Sequence, residues 1–585
     1  MDPSKANSWE NRQQAIDGEI KSLEKSIHVL KHRRNAFAPI SSLPTEVITA
    51  IFFLLRLPGT GRQPDIHESL RVAHVCHRWR EIVHDQPLFW SHINFTTVSS
   101  AGATEMLVRA RKVPLYLEAK VPIHRWDRDR FISFQKELQT HVSHIYHLRI
   151  SAEPFHLHKI LQGLISPAPT LEHLSLSIEK YRPRTSSRIS VPDTLFDATT
   201  PRLSSLELCD CNISWTSSLL KGLKNLKIIT LSVSARPSLT VWLDALDEMP
   251  QLTSLVLHSA SPFAPRFPVD VERTVTLPFL ARLDISASEL DCGLALAHLV
   301  LPALTSLCVT ASSDHPIIGE VQKIFPYVAR HAYGPQDTQP LQSVFIRGSR
   351  TRLDIFAWPM PHIPIDWWNE KPSTRVALSV TSKDWTFPDD HVRILDAAMA
   401  ALPLDNLVTL TPPYEIRLDE QFWRNHAPRW PLLERMHLAT LPARGFREML
   451  IDGNGGRELP LLPSLANLEL IENVLSARRT LRLCDALMMR VEQGVPLKVL
   501  DLRTCFGTSF AVRLLSEIVV DILSPTKTFE TEGHMRLTWD GTRGPFLPDD
   551  DSGVDGHLDG YGEGEPYSTD DDEEGDEEID DSEED

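Results

Sequence analysis

This 585-residue chain lacks the short motifs by which nucleotide-binding and acyl-transfer enzymes announce themselves. G-x-x-x-x-G-K-[ST], G-x-G-x-x-G and G-x-S-x-G are all missing, so the phosphate cradle and the nucleophile elbow have no sequence to form from. Cysteine is scarce. The seven residues, at 76, 209, 211, 292, 308, 484 and 505, are odd in number and sit mostly inside apolar runs. That spacing argues against a disulfide frame and predicts reduced thiols in an intracellular protein, cytoplasmic and/or nuclear. Cys209 and Cys211 have no second Cys or His pair at zinc spacing, so neither a metal nor a cofactor is expected. Long apolar runs are also missing. The strongest, VITAIFFLL from Val47 to Leu55, is about half of a membrane span, and the opening MDPSKANSWENRQQ carries no apolar signal, so no membrane partner is expected.

Charge is plentiful but badly divided. The net is −18, yet Asp549 to Asp585 holds 20 acidic residues and no Lys or Arg, leaving 58 acidic against 60 basic residues elsewhere. A nearly neutral body does not read as a nucleic-acid binder. The stretch 546–585 is Gly/Asp/Glu-rich without apolar periodicity, and disorder is expected there. Ser568, Thr569 and Ser582 each precede an acid by three residues, the pattern of acid-directed kinase sites, although solvating charge alone accounts for the acids.

Four regions follow: 1–38, 39–95, 96–545 and 546–585. In the first, Ile16, Ile20, Leu23, Ile27 and Leu30 step by four, three, four and three within a charge-rich stretch from Trp9 to Phe37. That is an a/d heptad seam, which either folds back on the next region or self-associates weakly through 9–37. Lys31-His32-Arg33-Arg34 at its end complements a helix dipole and also resembles an import signal.

In the second, Leu43-Pro44 opens a run in which Val47, Ile48, Ile51, Phe52 and Leu55 recur at helical spacing. Pro44 suits a first helical turn, with Ser41 or Ser42 as the expected cap. A second apolar series runs through Leu70, Val72, Val75, Cys76, Trp79, Ile82 and Val83 to Leu88-Phe89-Trp90. So few short helices cannot bury all of this by themselves, so a covering partner is expected. His74 and His77 flank Cys76 with no third metal ligand in reach.

In the third, L-x-x-L-x-L motifs begin at Ile145, Leu171, Leu203, Leu226, Leu252, Leu280 and Leu304, in steps of 26, 32, 23, 26, 28 and 24 residues. Weaker copies start at Leu341 and Leu433, good ones at Leu465 and Leu497, and VPLYLEA (Val113–Ala119) reads as a strand ahead of them. Three copies extend to a polar or sulfur position, Cys211, Asn473 or Cys505, where a buried side chain bonds backbone at the turn. Most follow P-x-L, and helices are expected between them at Ser217–Lys224, Leu239–Met249, His391–Ala401 and Arg479–Gln493. Repeats fade between Gly334 and Trp430, where Trp358, Trp367, Trp368, Trp385, Trp423 and Trp430 gather, a residue type common in hot spots but more often buried. His141, His144 and His147 recur every three residues and read as a solvated helix face.

The second region resembles the F-box, the module that docks a substrate receptor onto the Skp-family adaptor of an SCF ubiquitin ligase. The matching residues are Leu43, Pro44, Glu46, Ile51-Phe52, Val75-Cys76, Trp79 and Trp90. The loop Arg56–Glu68 is longer and more polar than the family's usual link. By this resemblance Leu43, Pro44, Ile48, Phe52, Val75, Cys76 and Trp79 are the adaptor-binding set, with no catalytic residue and a cullin reached through the adaptor. The third region resembles the leucine-rich-repeat receptors of the same family, above all the degenerate versions of mushroom-type fungi. The resemblance implies an α/β fold, a helical F-box followed by an irregular solenoid with a curved parallel sheet and helices outside. It also implies a non-enzymatic receptor for an unknown target protein. A scaffold outside any ligase is the alternative.

Overall fold

The computed structural model describes residues 3–523 apart from 56–70, 122–125, 127, 180–188, 263–272, 314–317, 333–338, 350, 364–373, 383–389, 414–415, 417, 439–460, 472–473, 476 and 508. The Arg56–Glu68 loop, Asn473, the tryptophans at 367, 368 and 385, and the acidic tail therefore lie outside the described residues. The chain is mixed α/β, with helices at the N-terminus and one large, mostly parallel sheet of 17 strands. The first nine strands pair in chain order. They are β1 (His92–Asn94), β2 (Leu115–Val121), β3 (Ile145–Ala152), β4 (His173–Ile178), β5 (Ser205–Cys209), β6 (Asn225–Ile229), β7 (Ser254–His258), β8 (Arg282–Ala287) and β9 (Ser306–Ser313).

Each L-x-x-L-x-L motif makes such a strand because alternate side chains leave a pleated backbone on opposite sides. The leucine side is buried, as at Leu174 and Leu176 or Leu206 and Leu208. Ten of the eleven expected starts fall in one structural register, and one does not. Asn225 pairs with Ser254, so the copy opposite Leu252 begins at Leu223, not at Leu226. Both leucines are buried, and the sequence pattern cannot separate two apolar residues three apart. The turn position behaves as its chemistry requires. Cys211 and Cys505 are buried and direct their thiols at the carbonyls of Leu176 and Leu470 on the preceding strands, at 3.9 and 3.0 Å. A hydroxyl recurs beside the first leucine: Ser204, Thr253 and Thr305 donate to the carbonyls of Glu172, Lys224 and Ala281.

The middle breaks the all-parallel expectation. Strands β10 (Ser343–Ser349) and β11 (Arg352–Trp358) form an antiparallel hairpin, and β11 is also antiparallel to β12 (Val376–Ser382). β12 is the neighbour of β9, so the hairpin is inserted backwards and the spatial order runs β9, β12, β11, β10. Parallel pairing then resumes from β10 through β13 (Thr409–Thr411), β14 (Arg435–Leu438), β15 (Asn467–Leu470), β16 (Val499–Asp501) and β17 (Asp521–Leu523). A two-residue link after Ser349 is too short for a crossover, which is why the return strand must run antiparallel.

The expected helices appear at Leu239–Asp247, Asp390–Ala401 and Ala477–Glu492. Ser217–Lys224 does not form one. Only the 3-10 turn Ser218–Leu220 is present, because Lys221 is extended and Gly222 takes φ +69°. Trp358, Trp423 and Trp430 are buried in the fold, so none of them offers a binding surface.

At the N-terminus, α1 (Pro3–Ala36) precedes α2 (Thr45–Leu55), a 3-10 turn at Val72–His74, α3 (His77–Asp85) and a 3-10 turn at Pro87–Trp90. β1 follows directly, so this helical unit is joined to the edge of the sheet. The seam residues Ile16, Ile20, Leu23, Ile27 and Leu30 are all exposed, so α1 does not fold back over the unit.

Candidate functional site

The helical unit is built around Phe52. Its ring meets Trp79 edge-on at 4.8 Å and Phe89 at 6.3 Å, while Phe53 stacks on Phe89 at 4.5 Å. Ile48, Val72, Ala73, Ile82, Val83 and Trp90 complete the core. Buried Trp90 donates its indole N–H to the Val83 carbonyl at 3.0 Å, which links the closing turn to α3. The Arg109 guanidinium covers the outer face of that ring at 4.5 Å. Neither Ser41 nor Ser42 caps α2. Their hydroxyls donate backwards, to the carbonyls of Asn35 and Pro39. The start of α2 is held instead by Arg78, whose guanidinium donates to the Leu43 carbonyl at 3.0 Å and to that of Ser41.

The expected adaptor-binding set is divided by this packing. Ile48 and Phe52 are 0 % and 1 % exposed and have no surface to offer a partner. Each helical residue turns by about 100°, so residues four apart share a face, and Phe52 on that face meets Trp79 and Phe89. Pro44 is exposed, Val75 is 60 % exposed, and Leu43, Cys76 and Trp79 are half-buried between core and surface. α2 has a second apolar stripe on its outer side, Val47, Ile51 and Leu54, with Leu54 at 65 %. Sequence spacing merged the two stripes into one broad face. Val47 and Leu54 are accessible, and so is Leu88 on the closing turn.

The sheet presents a second surface, on the side opposite its leucines. Strand register aligns His92, Tyr116, His147 and His173 across β1 to β4. His92 stacks on Tyr116 at 3.8 Å, Tyr116 on His147 at 4.0 Å, and His147 lies 5.3 Å from His173. His147 is thus a strand residue in an aromatic ladder, while His141 ends an α-helix and His144 the 3-10 turn after it, so the expected three-histidine helix face does not exist. Burial, then the charges of His173, Arg149 and His92, push the His147 imidazole down to about 4. Alongside runs a charged row in which Glu207 receives Ser175 at 3.1 Å and meets Arg149 and Lys227. Burial raises its carboxyl, but the Lys227 and Ser175 hydrogen bonds and Arg149 outweigh that and hold it below the usual carboxylate range.

Further along, the same face is covered. Phe356, Trp358 and Ala377 form an apolar cluster apart from the main core, packed by Cys308, Phe345, Met360 and Ile363. The segment carrying Met360 and Ile363 is tied down at the Pro361 carbonyl, which accepts from Thr409 at 2.5 Å and Arg435 at 3.4 Å. Beside it Asp354 is fully buried and receives Arg347, Arg352 and Ser379, each at 2.6 Å.

Among the described residues no group of three His, Cys, Asp or Glu side chains could hold a metal ion, and no helix is long and apolar enough to cross a membrane. Residues 40–96 match the family model described as F-box-like, so the helical unit is an F-box-like domain. No curated protein matches the chain.

Proposed function

We propose that this chain is the substrate-recognition subunit of an SCF-type ubiquitin ligase, in which the F-box-like domain docks a Skp-family adaptor, and through it a cullin, while the rest binds a target protein. The observation that carries the reading is the exposed apolar surface, Pro44, Val47 and Leu54 at the start and outer side of α2 and Val75 after the next turn, on a domain that matches the F-box-like family over 40–96. A unit this small, with this much apolar surface left open, fits a helix-in-groove partner. An interface of about 1,600 Å² would suffice for a stable complex.

The body reads as an irregular leucine-rich-repeat solenoid. Parallel strands in register, a carbonyl-bonded Cys211 and Cys505, and P-x-L entries support this. Its open recognition surface is the N-terminal part of the sheet, because the cluster around Trp358 closes the middle. The ladder from His92 to His173 and the row around Glu207 give flat aromatic contact beside charges of both signs. Catalysis lies elsewhere in the assembly. Burial pushes the thiols of Cys211 and Cys292 up to about 12, which suits packing and not ubiquitin transfer.

A pull-down from cells tests this with wild type, Pro44→Ala/Val75→Asp, and His147→Ala/Lys227→Glu. The first variant should lose adaptor and cullin but keep other partners, and the second should do the reverse. Retention of the adaptor by the first variant sinks the ligase reading. Adaptor binding without any ubiquitinated partner would favour a scaffold.

A further inference from the structure

We infer that two copies of this chain pair through α1 as a parallel, in-register, two-stranded coiled coil. α1 spans 34 residues, about 51 Å at 1.5 Å per residue. Its described contacts with the body are confined to its C-terminal end, where His32 lies edge-on to His77 at 6.2 Å and the Asn35 carbonyl accepts from Ser41. Every seam side chain from Ile16 to Leu30 is 46–63 % exposed, and Trp9 extends the seam one heptad earlier. A single helix that keeps one continuous apolar ridge in water is covered by something.

The ridge itself specifies what covers it. Steps of four and three place Ile20 and Ile27 at a positions and Trp9, Ile16, Leu23 and Leu30 at d. Over the last two heptads, β-branched Ile20 and Ile27 at a with Leu23 and Leu30 at d favour a parallel two-stranded coil, because the Cα–Cβ bonds at the two layers meet the partner at different angles. Gln13 occupies the next a position, where a polar residue faces its own copy only in register. At the flanks, Arg12 at g faces Asp17 at e of the second copy, an attractive pair, whereas Glu19 faces Glu24, a repulsive one. So short a seam with one like-charge contact makes a weak, concentration-dependent dimer. Its consequence is geometric. Two chains leave the coil side by side at Phe37, which places both F-box-like domains at the same end. The inference rests on α1 alone and stands whether or not the docking assignment does.

Sedimentation equilibrium on the full chain is the test, together with non-reducing electrophoresis of Gln13→Cys. The weight-average mass of wild type should rise from its 66.1 kDa toward twice that value as concentration increases from micromolar to several hundred micromolar. Leu23→Asp/Leu30→Asp should stay at the single-chain mass with an unchanged thermal transition of the body, since both side chains are exposed within one copy. Oxidised Gln13→Cys should give a covalent dimer that wild type, despite its own thiols, does not. A single-chain mass throughout the range overturns the proposal, as does undiminished association of the Asp variant. A wild-type dimer in which Gln13→Cys fails to cross-link overturns the parallel register.

Discussion

The Nη2 of Arg78, on the helix after the first break in the F-box-like domain, lies 3.0 Å from the backbone carbonyl of Leu43 and donates to it. The same guanidinium also reaches Ser41, so one side chain fixes the turn from which exposed Pro44 projects. Leu43 and Pro44 are therefore presented by a contact 35 residues away in the chain. Arg78→Ala should weaken adaptor binding by about 1–3 kcal/mol, the worth of hydrogen bonds from a charged donor. Titration of purified adaptor measures this, and an unchanged thermal transition of the sheet would show that the loss is local.

The two stripes of α2 should separate folding from docking. Phe52→Ala removes a buried ring that meets Trp79 and Phe89, and should cost about 3–5 kcal/mol, enough to unfold the domain. Leu54→Asp changes an exposed side chain, should leave the melting temperature within a degree or two, and should abolish adaptor binding. Calorimetry beside a pull-down checks both.

Stability should fall with acid between pH 6.5 and about 4. Burial holds the imidazoles of His147 and His331 down at about 4 in the fold, against an ordinary 6.5, so across that window the unfolded chain takes up protons that the native one refuses. Their contribution is complete above pH 6.5 and is lost as pH falls toward 4. Melting temperatures from pH 7.5 to 4.5 should show a flatter slope for His147→Asn/His331→Asn than for wild type.

Asp354→Ala should loosen the reversed hairpin. The carboxylate is fully buried and receives three donors, while Arg347 and Arg352 keep part of their surface in water. The two guanidiniums can rehydrate when it goes, so a loss of about 2–3 kcal/mol is expected instead of the larger penalty of a stranded buried charge. Amide exchange over 343–358 should rise before global unfolding.

Gly18→Ala should strengthen α1. No atom lies within 4 Å of the added methyl, and alanine gains about 0.5–1 kcal/mol of helix stability over glycine. Helical signal should increase, and association through the seam should tighten with it.

Much of the candidate site was legible because its signals are local. The residues of the F-box-like domain stand at helical spacing, and the family match from 40 to 96 follows the same stretch. Arg78 was missed because a guanidinium aimed at a backbone carbonyl leaves no pattern in the sequence. The same holds for Arg490, which is buried yet bonds the carbonyls of Leu461, Leu462 and Leu465. The His92–His173 ladder was also invisible, since its members come from four strands and meet only through register.

Alternation of leucine with polar residues set where strands form and which side is buried, because a pleated chain offers no other way to hide every second side chain. Heptad spacing likewise fixed the ridge of α1. Which α2 stripe turns inward, how β10 and β11 insert backwards, and what covers Trp358 were decided only in three dimensions. Each of these depends on volumes and hydrogen bonds supplied by distant segments, and local periodicity carries no record of them.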